Sequence, residues 1–241
     1  MRKQILSLLL LIFTVPAFGF AGIVTGKAEV DAKTKYVYRG IVKEDAFVLQ
    51  PKASLSFLNF RAKLFNNVTL SPEGDNKNLD ETHFTLRYDL KYMGFNLTPG
   101  VKYYHGWNDN SIDTTEVSLG VSYTLLGLVG IYSTHYIDVM EDFGKYYGNV
   151  GAAFQTDKIL LGLGVEGYMD INWQKPDFND DSEFIFPYSM NVGAAVKFKP
   201  IPVVYIKAHA DMSILLTEEA REMNSNETNI FSLGVIAGLE F

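Results

Sequence analysis

The chain has no cysteine. A small exported protein stapled by disulfides carries an even cysteine count, so zero removes covalent bracing, thiolate metal sites and thiol catalysis together. Beyond the first twenty residues there is no apolar run near 18 residues, which excludes a bundle of membrane-spanning helices. Positive charge is in deficit: 21 Lys and Arg stand against 28 Asp and Glu, a formal net charge of -7 that argues against nucleic acid as a partner. Histidine is scarce. His83, His105, His135 and His209 show no metal-ligand spacing, and no glycine loop suited to phosphate is present, so neither a metal nor a cofactor is implied.

What is present begins with an address. Arg2 and Lys3 follow Met1, an apolar stretch runs from Ile5 to Phe13, and Pro16 leads into small residues. That order describes a secretory signal peptide. Cleavage after Ala21 fits, and cleavage after Gly19 fits nearly as well. Residues 1–21 are therefore read as the signal peptide and residues 22–241 as one domain. Removing the leader takes away two positive charges and leaves a formal charge of -9.

The mature chain alternates with period two almost throughout. Phe84, Leu86, Tyr88 and Leu90 interleave with His83, Thr85, Arg87 and Asp89, and Val117, Leu119, Val121 and Tyr123 interleave with Glu116, Ser118, Gly120 and Ser122. Successive strand residues point to opposite faces, so each segment has one apolar and one polar face. Twelve such segments are expected, over 26–39, 47–57, 60–70, 81–92, 96–107, 114–125, 129–137, 145–155, 159–173, 187–198, 203–215 and 229–241. Most have the length that a tilted strand needs to cross a bilayer.

The connections alternate between tight turns (58–59, 93–95, 126–128, 156–158, 199–202) and longer polar, mostly acidic loops (40–46, 71–80, 108–113, 138–144, 174–186, 217–228). Short turns on one side and long loops on the other are the arrangement of an outer-membrane barrel. Aromatics collect at strand ends, Tyr36, Tyr38, Trp107, Trp173, Tyr188 and Phe231 toward the loops and Phe57, Phe60, Tyr92, Phe95, Tyr123, Phe154, Phe198 and Phe241 toward the turns, as the two interfacial girdles would require. The fold expected is all-β: a transmembrane antiparallel up-and-down barrel of about twelve strands, with periplasmic turns and extracellular acidic loops. It would sit in the outer membrane among lipid and lipopolysaccharide. The last strand ends on Leu239 and Phe241, which resembles the signal read by the barrel assembly machinery.

If the apolar face looks outward, the polar face lines the lumen. Its cations gather in the first five strands, among them Lys33, Lys35, Arg39, Lys52, Arg61, Lys63, Arg87 and Lys102, while Glu116, Glu166 and Asp170 supply acid across from them. Small residues such as Gly151, Ala153, Gly193 and Ala195 mark the far wall. Long cations facing small residues suggest an aqueous passage for small hydrophilic solutes or ions, leaning toward anions. Two other readings stand beside it: a braced, non-conducting barrel acting through its loops, adhesin-like, and an outer-membrane lipid hydrolase. For the last, Ser133 and His135 share one strand face, but two residues apart on a strand is expected to keep nucleophile and base out of direct contact. Acidic pairs such as Asp180-Asp181 and Glu218-Glu219 read as solvated loop charge or loose divalent-cation binding. A homo-oligomer stays open, since every strand offers an apolar seam.

The N-terminal part, Lys35-Tyr36-Val37-Tyr38-Arg39-Gly40-Ile41, then Leu49-Gln50-Pro51 and Phe65-Asn66-Asn67-Val68, resembles the opening of TorF-type porins. Tyr88 to Tyr92, Gly100 to Gly106 and Tyr146-Tyr147 with Gly151 extend the likeness over roughly two thirds of the mature chain. Tyr38 stands where that family often has Trp, and Pro51 where it usually has Gly. The resemblance implies a porin-like outer-membrane protein and carries over no catalytic residue.

Overall fold

A computed structural model describes residues 24–70, 79–107, 113–141, 143–160, 162–175 and 185–241. The expected signal peptide lies outside the described residues, as do Asp180-Asp181 and most of the long connections after residues 70, 107 and 175.

In chain order the strands are β1 (Val24–Lys33), β2 (Tyr36–Tyr38), β3 (Ile41–Glu44), β4 (Val48–Phe57), β5 (Phe60–Thr69), β6 (Leu79–Tyr88), β7 (Leu90–Tyr92), β8 (Phe95–Gly106), β9 (Thr114–Leu125), β10 (Val129–Asp138), β11 (Tyr146–Leu160), β12 (Leu163–Lys175), β13 (Ile185–Ile201), β14 (Val204–Leu215) and β15 (Asn229–Glu240). A five-residue helix, α1 (Glu218–Glu222), precedes the last strand. All strands except β2 and β3 join one antiparallel sheet, with β15 paired to β1 and β6 paired to β8, so the sheet closes on itself. β6 and β7 are one stave interrupted at Asp89, which makes twelve staves.

Burial is inverted relative to a soluble protein. Leu55, Phe84, Leu119, Ile131, Val196 and Leu233 are exposed on the outer face, while Gln50, Asn67, Glu116, Asp170, Asn172 and Ser189 are buried within. An apolar outside and a polar inside are what a strand wall needs in lipid. Closure follows from the same solvent, because an unpaired sheet edge in hydrocarbon would cost several kcal/mol per orphaned backbone group. The seam is complete to its end: the Gly26 amide donates to the Phe241 carbonyl at 2.7 Å and the Phe241 amide returns a bond to Gly26 at 2.9 Å. The Phe241 ring lies where a Gly26 Cβ would be.

Three expectations need correction. The first strand ends at Lys33, six residues early, because Arg39 and Gly40 both take positive φ (54° and 74°) and fold Tyr36–Glu44 into its own hairpin. Positive φ at both central residues is the tight two-residue hairpin turn. A Cβ on Gly40 would also come within 2.8 Å of the Ser189 hydroxyl. Second, the turn expected at 156–158 falls near Gly162, since β11 runs on through a register shift between Thr156 and Leu160. Third, Tyr36, Tyr38 and Tyr188 are not girdle residues: the first two ride the hairpin and Tyr188 is fully buried. Trp107 and Phe231 do stand exposed near the loop side, and Phe57, Phe60, Tyr92 and Phe95 near the turn side.

Candidate functional site

The β2–β3 hairpin turns inward, and this decides the shape of the lumen. Its apolar residues Val37, Ile41 and Val42 pack against a cluster of Tyr188, Leu215, Ala220 and Ile230 drawn from β13, β14, α1 and β15. Thr217 caps α1 by accepting from the Ala220 amide. Two residues beyond α1, Asn224 is buried and grips the hairpin backbone, accepting from the Val42 amide at 2.8 Å and donating to the Gly40 carbonyl at 3.0 Å. A two-stranded hairpin alone is marginal in water, so these contacts are what hold it.

From that wall the hairpin's polar side reaches across. Arg39, at its tip, donates from both terminal nitrogens to Glu116 on β9, at 2.6 and 2.7 Å. Its guanidinium also lies over the rings of Tyr38, Tyr136 and Tyr147. A planar fork on a carboxylate, stacked on aromatics, is the arrangement arginine serves best. Tyr36 donates to Glu81, Tyr38 shares a 2.6 Å bond with Tyr104, and Lys102 donates to the Tyr38 hydroxyl at 2.9 Å. The hairpin therefore stands between an upper vestibule of about 600 Å³, bounded by Glu81, Glu116, Tyr147 and Met223, and a lower cavity of about 470 Å³.

The lower cavity is basic. Lys27, Lys52, Arg61, Lys63, Arg87 and Lys102 line it, with Glu29 the one carboxylate among its lining residues. Three of the cations are paired: Lys27 with Glu29 (2.7 Å), Lys52 with Asp31 (3.1 Å) and Arg61 with Asp89 (2.8 Å). Among the described residues no carboxylate lies within ion-pair distance of Lys63, Arg87 or Lys102. Register explains their grouping. Lys63 and Lys102 flank Thr85 in one row across β5, β6 and β8, and Arg87 sits in the next row, facing Arg61 on one side and Gly100 on the other.

The opposite wall, around β12 to β15 and β1, is ion-paired, and a smaller space of about 370 Å³ lies against it. Asp31 accepts from Lys52 and from His209, His209 also faces Asp211, and Asp211 is met by Lys33 (3.3 Å) and Tyr168 (3.0 Å). Lys207 pairs with Glu166 at 2.9 Å, and Lys197 with Glu240 at 3.5 Å. Of the small residues expected to leave space here, Ala153, Gly193 and Ala195 line that smaller space, and Gly193 also seats a ring. Tyr168 lies directly across from Gly193 and Tyr205 across from Gly238, each ring occupying the place of the glycine's absent Cβ. Tyr205 donates to Glu29, bracing the seam from inside.

Lys33, Lys52, Arg61, Glu116 and Glu166 face inward and are ion-paired; Lys63, Arg87 and Lys102 face inward without a carboxylate. Asp170 is buried and accepts from Tyr132, Asn172 and Asn191. Lys35 falls in the bend before the hairpin and pairs with Asp45, off the strand wall. Arg39 is inside, but as the hairpin's latch and not as a rim residue of β1. Sequence pattern missed Tyr168, Tyr205, His209 and Asp211; their odd-even placement was available, their partners were not. Leu239 lies on the outward face of β15, and Phe241 follows the strand's last residue with its ring against Gly26.

Ser133 and His135 do touch, contrary to expectation, at 3.1 Å, and on the outward face. The hydroxyl of Ser133 donates to the Asn149 carbonyl at 2.8 Å, and Tyr146, which accepts from Trp173 at 3.3 Å, lies against His135 Nδ1. The Ser133 hydroxyl thus has a carbonyl acceptor as well as the imidazole beside it, and His135 has a polar partner at each ring nitrogen. Farther along the rim, hydrogen bonds from His105 and Tyr103 hold the Asp113 carboxyl below the usual carboxylate range.

No family model matches the chain, and no curated protein matches it in sequence. Solved structures do. The NanC porin matches with a TM-score of 0.56 at 10% identity, covering 89% of this chain and 98% of that one. The KdgM porin in complex with disordered oligogalacturonate matches at 0.55 and 9% identity, over 90% and 99%. An outer membrane channel from Pseudomonas putida F1 matches at 0.50 and 12%, over 92% and 96%. The fold is that of outer-membrane barrels. At these identities the likeness establishes the architecture and nothing about solute.

Proposed function

We propose that the protein is a porin-like channel of the outer membrane, of the TorF type, passing small hydrophilic solutes or ions with a lean toward anions. The observation that carries the reading is the lower cavity: among the described residues it has six lining cations, one lining carboxylate, and three cations with no carboxylate partner. A lumen lined by one sign of charge within low-dielectric walls raises the local concentration of the opposite ion. The solved barrels of the same fold that are titled porins or channels support passage, and the oligogalacturonate of the KdgM structure shows that one of them meets a hydrophilic solute. In this reading residues 1–21 are cleaved after export, Phe241 and Leu239 are read by the barrel assembly machinery, and outer-membrane lipid and lipopolysaccharide surround the wall.

Single-channel recording of refolded residues 22–241 in a planar bilayer tests it. Stable conductance steps support the channel; a folded, heat-modifiable barrel that gives none overturns it. The second reading, a non-conducting surface barrel acting through its loops, draws on one observation: the hairpin stands across the lumen between the vestibule and the lower cavity, packed on the cluster that includes Ala220 of α1.

A further inference from the structure

The row that holds Lys63 and Lys102 does not end at Lys102. Its next inward position, directly across on β9, is Glu116. In an undisturbed antiparallel wall that carboxylate and Lys102 would be an ordinary cross-strand ion pair. They are not paired. Glu116 gives both oxygens to Arg39 at the hairpin tip, and Lys102 turns to the Tyr38 hydroxyl, its ammonium 4.7 Å and 4.2 Å from the ring centres of Tyr38 and Tyr104. The hairpin thus engages, through Arg39, the carboxylate that faces Lys102 across the strand pair.

We propose that this cavity is a binding site for a small multivalent oxyanion, gripped by Lys63, Arg87 and Lys102, and that the Arg39–Glu116 pair keeps it competent. The inference rests on the reading of the lumen as a solute path, and it deepens that reading by naming the solute class. Multivalency follows from geometry. Three unpaired cations on adjacent staves, about 5 Å apart per strand, cannot be satisfied by one singly charged ion. Room of about 470 Å³ admits a di- or tricarboxylate as readily as sulfate or phosphate. Arg87 also donates to the Tyr136 hydroxyl at 3.2 Å, which aims its remaining donors without neutralising it, and Gly100 beside it leaves its stem space. Arg39 does not line the cavity; it is a positioning residue, acting through Glu116. Were the hairpin to lift, Glu116 would be free to pair with Lys102, so hairpin position and anion affinity are coupled.

The test is calorimetric titration of the refolded barrel in detergent with citrate and, separately, with sulfate, against chloride at equal ionic strength. Saturable binding of citrate or sulfate that chloride does not reproduce is expected, weakened about tenfold by Lys63→Gln or Arg87→Gln. Lys207→Gln, on the paired wall, should leave it unchanged. Arg39→Gln should weaken it comparably although the residue touches no ligand, and Arg39→Gln with Glu116→Gln should restore it, an outcome that mere loosening of the hairpin would not give. Citrate without sulfate would assign the site to carboxylates, and sulfate without citrate to compact oxyanions. No saturable heat from either, equal loss with Lys207→Gln, or no rescue by the double variant overturns the proposal. Binding is read without conduction: a barrel that conducts but does not bind removes this inference alone, and one that binds but does not conduct removes the channel reading alone.

Discussion

The two walls of the lumen carry similar residues and solve opposite problems. Around β12 to β15 and β1, every lysine named here meets a carboxylate, and tyrosine rings fill the spaces over glycines. Around β5, β6 and β8, Arg61 pairs with Asp89, but Lys63, Arg87 and Lys102 meet no carboxylate among the described residues. Burying charge is tolerated when it is paired and hydrogen-bonded, and costs stability when it is not. The paired wall therefore stabilises the barrel, and the unpaired wall is stability forgone. Strain of that kind concentrates where a protein meets a ligand.

Substitutions on the two walls should differ in sign as well as size. Asp31→Ala removes the carboxylate shared by Lys52 and His209 and should cost about 3–5 kcal/mol, read as a lowered denaturant midpoint of the refolded barrel. Gly193→Val forces the Tyr168 ring out of its seat and should cost about 1–3 kcal/mol by the same measurement. Thr217→Ala uncaps α1, the helix against which the hairpin packs, at about 1 kcal/mol; because that loss is local, it should show first as faster proteolysis near Gly40. Lys63→Gln should shift stability by no more than about 0.5 kcal/mol, and toward greater stability, since it relieves repulsion and breaks no pair. A loss of several kcal/mol there would erase the distinction between the walls.

Period two places Lys63, Arg87, Glu116, Asp170 and the apolar Leu55, Leu86 and Val235 on their observed faces, because face depends only on local parity. Pairing depends on register, which no single strand encodes. So the ring seat at Gly193 was not foreseen, and Lys33 looked as free as Lys63. The hairpin was hidden by its own regularity: Tyr36-Val37-Tyr38 continue the alternation of β1 without a break at Thr34 or Lys35. Its one signal was Arg39-Gly40, a turn dipeptide that read as a rim. The late turn near Gly162 was missed for a similar reason, since a register shift lets β11 run past the polar residues that seemed to end it.

The most direct test is the zero-current potential of the refolded channel across a potassium chloride gradient, for the native chain and for Lys63→Gln/Arg87→Gln/Lys102→Gln. A potential on the anion side that moves clearly toward the cation side in the triple variant, and stays put in Lys33→Gln/Lys207→Gln, is the expected result. Equal shifts in both variants, or a native channel on the cation side, would contradict the claim that the unpaired wall sets what passes.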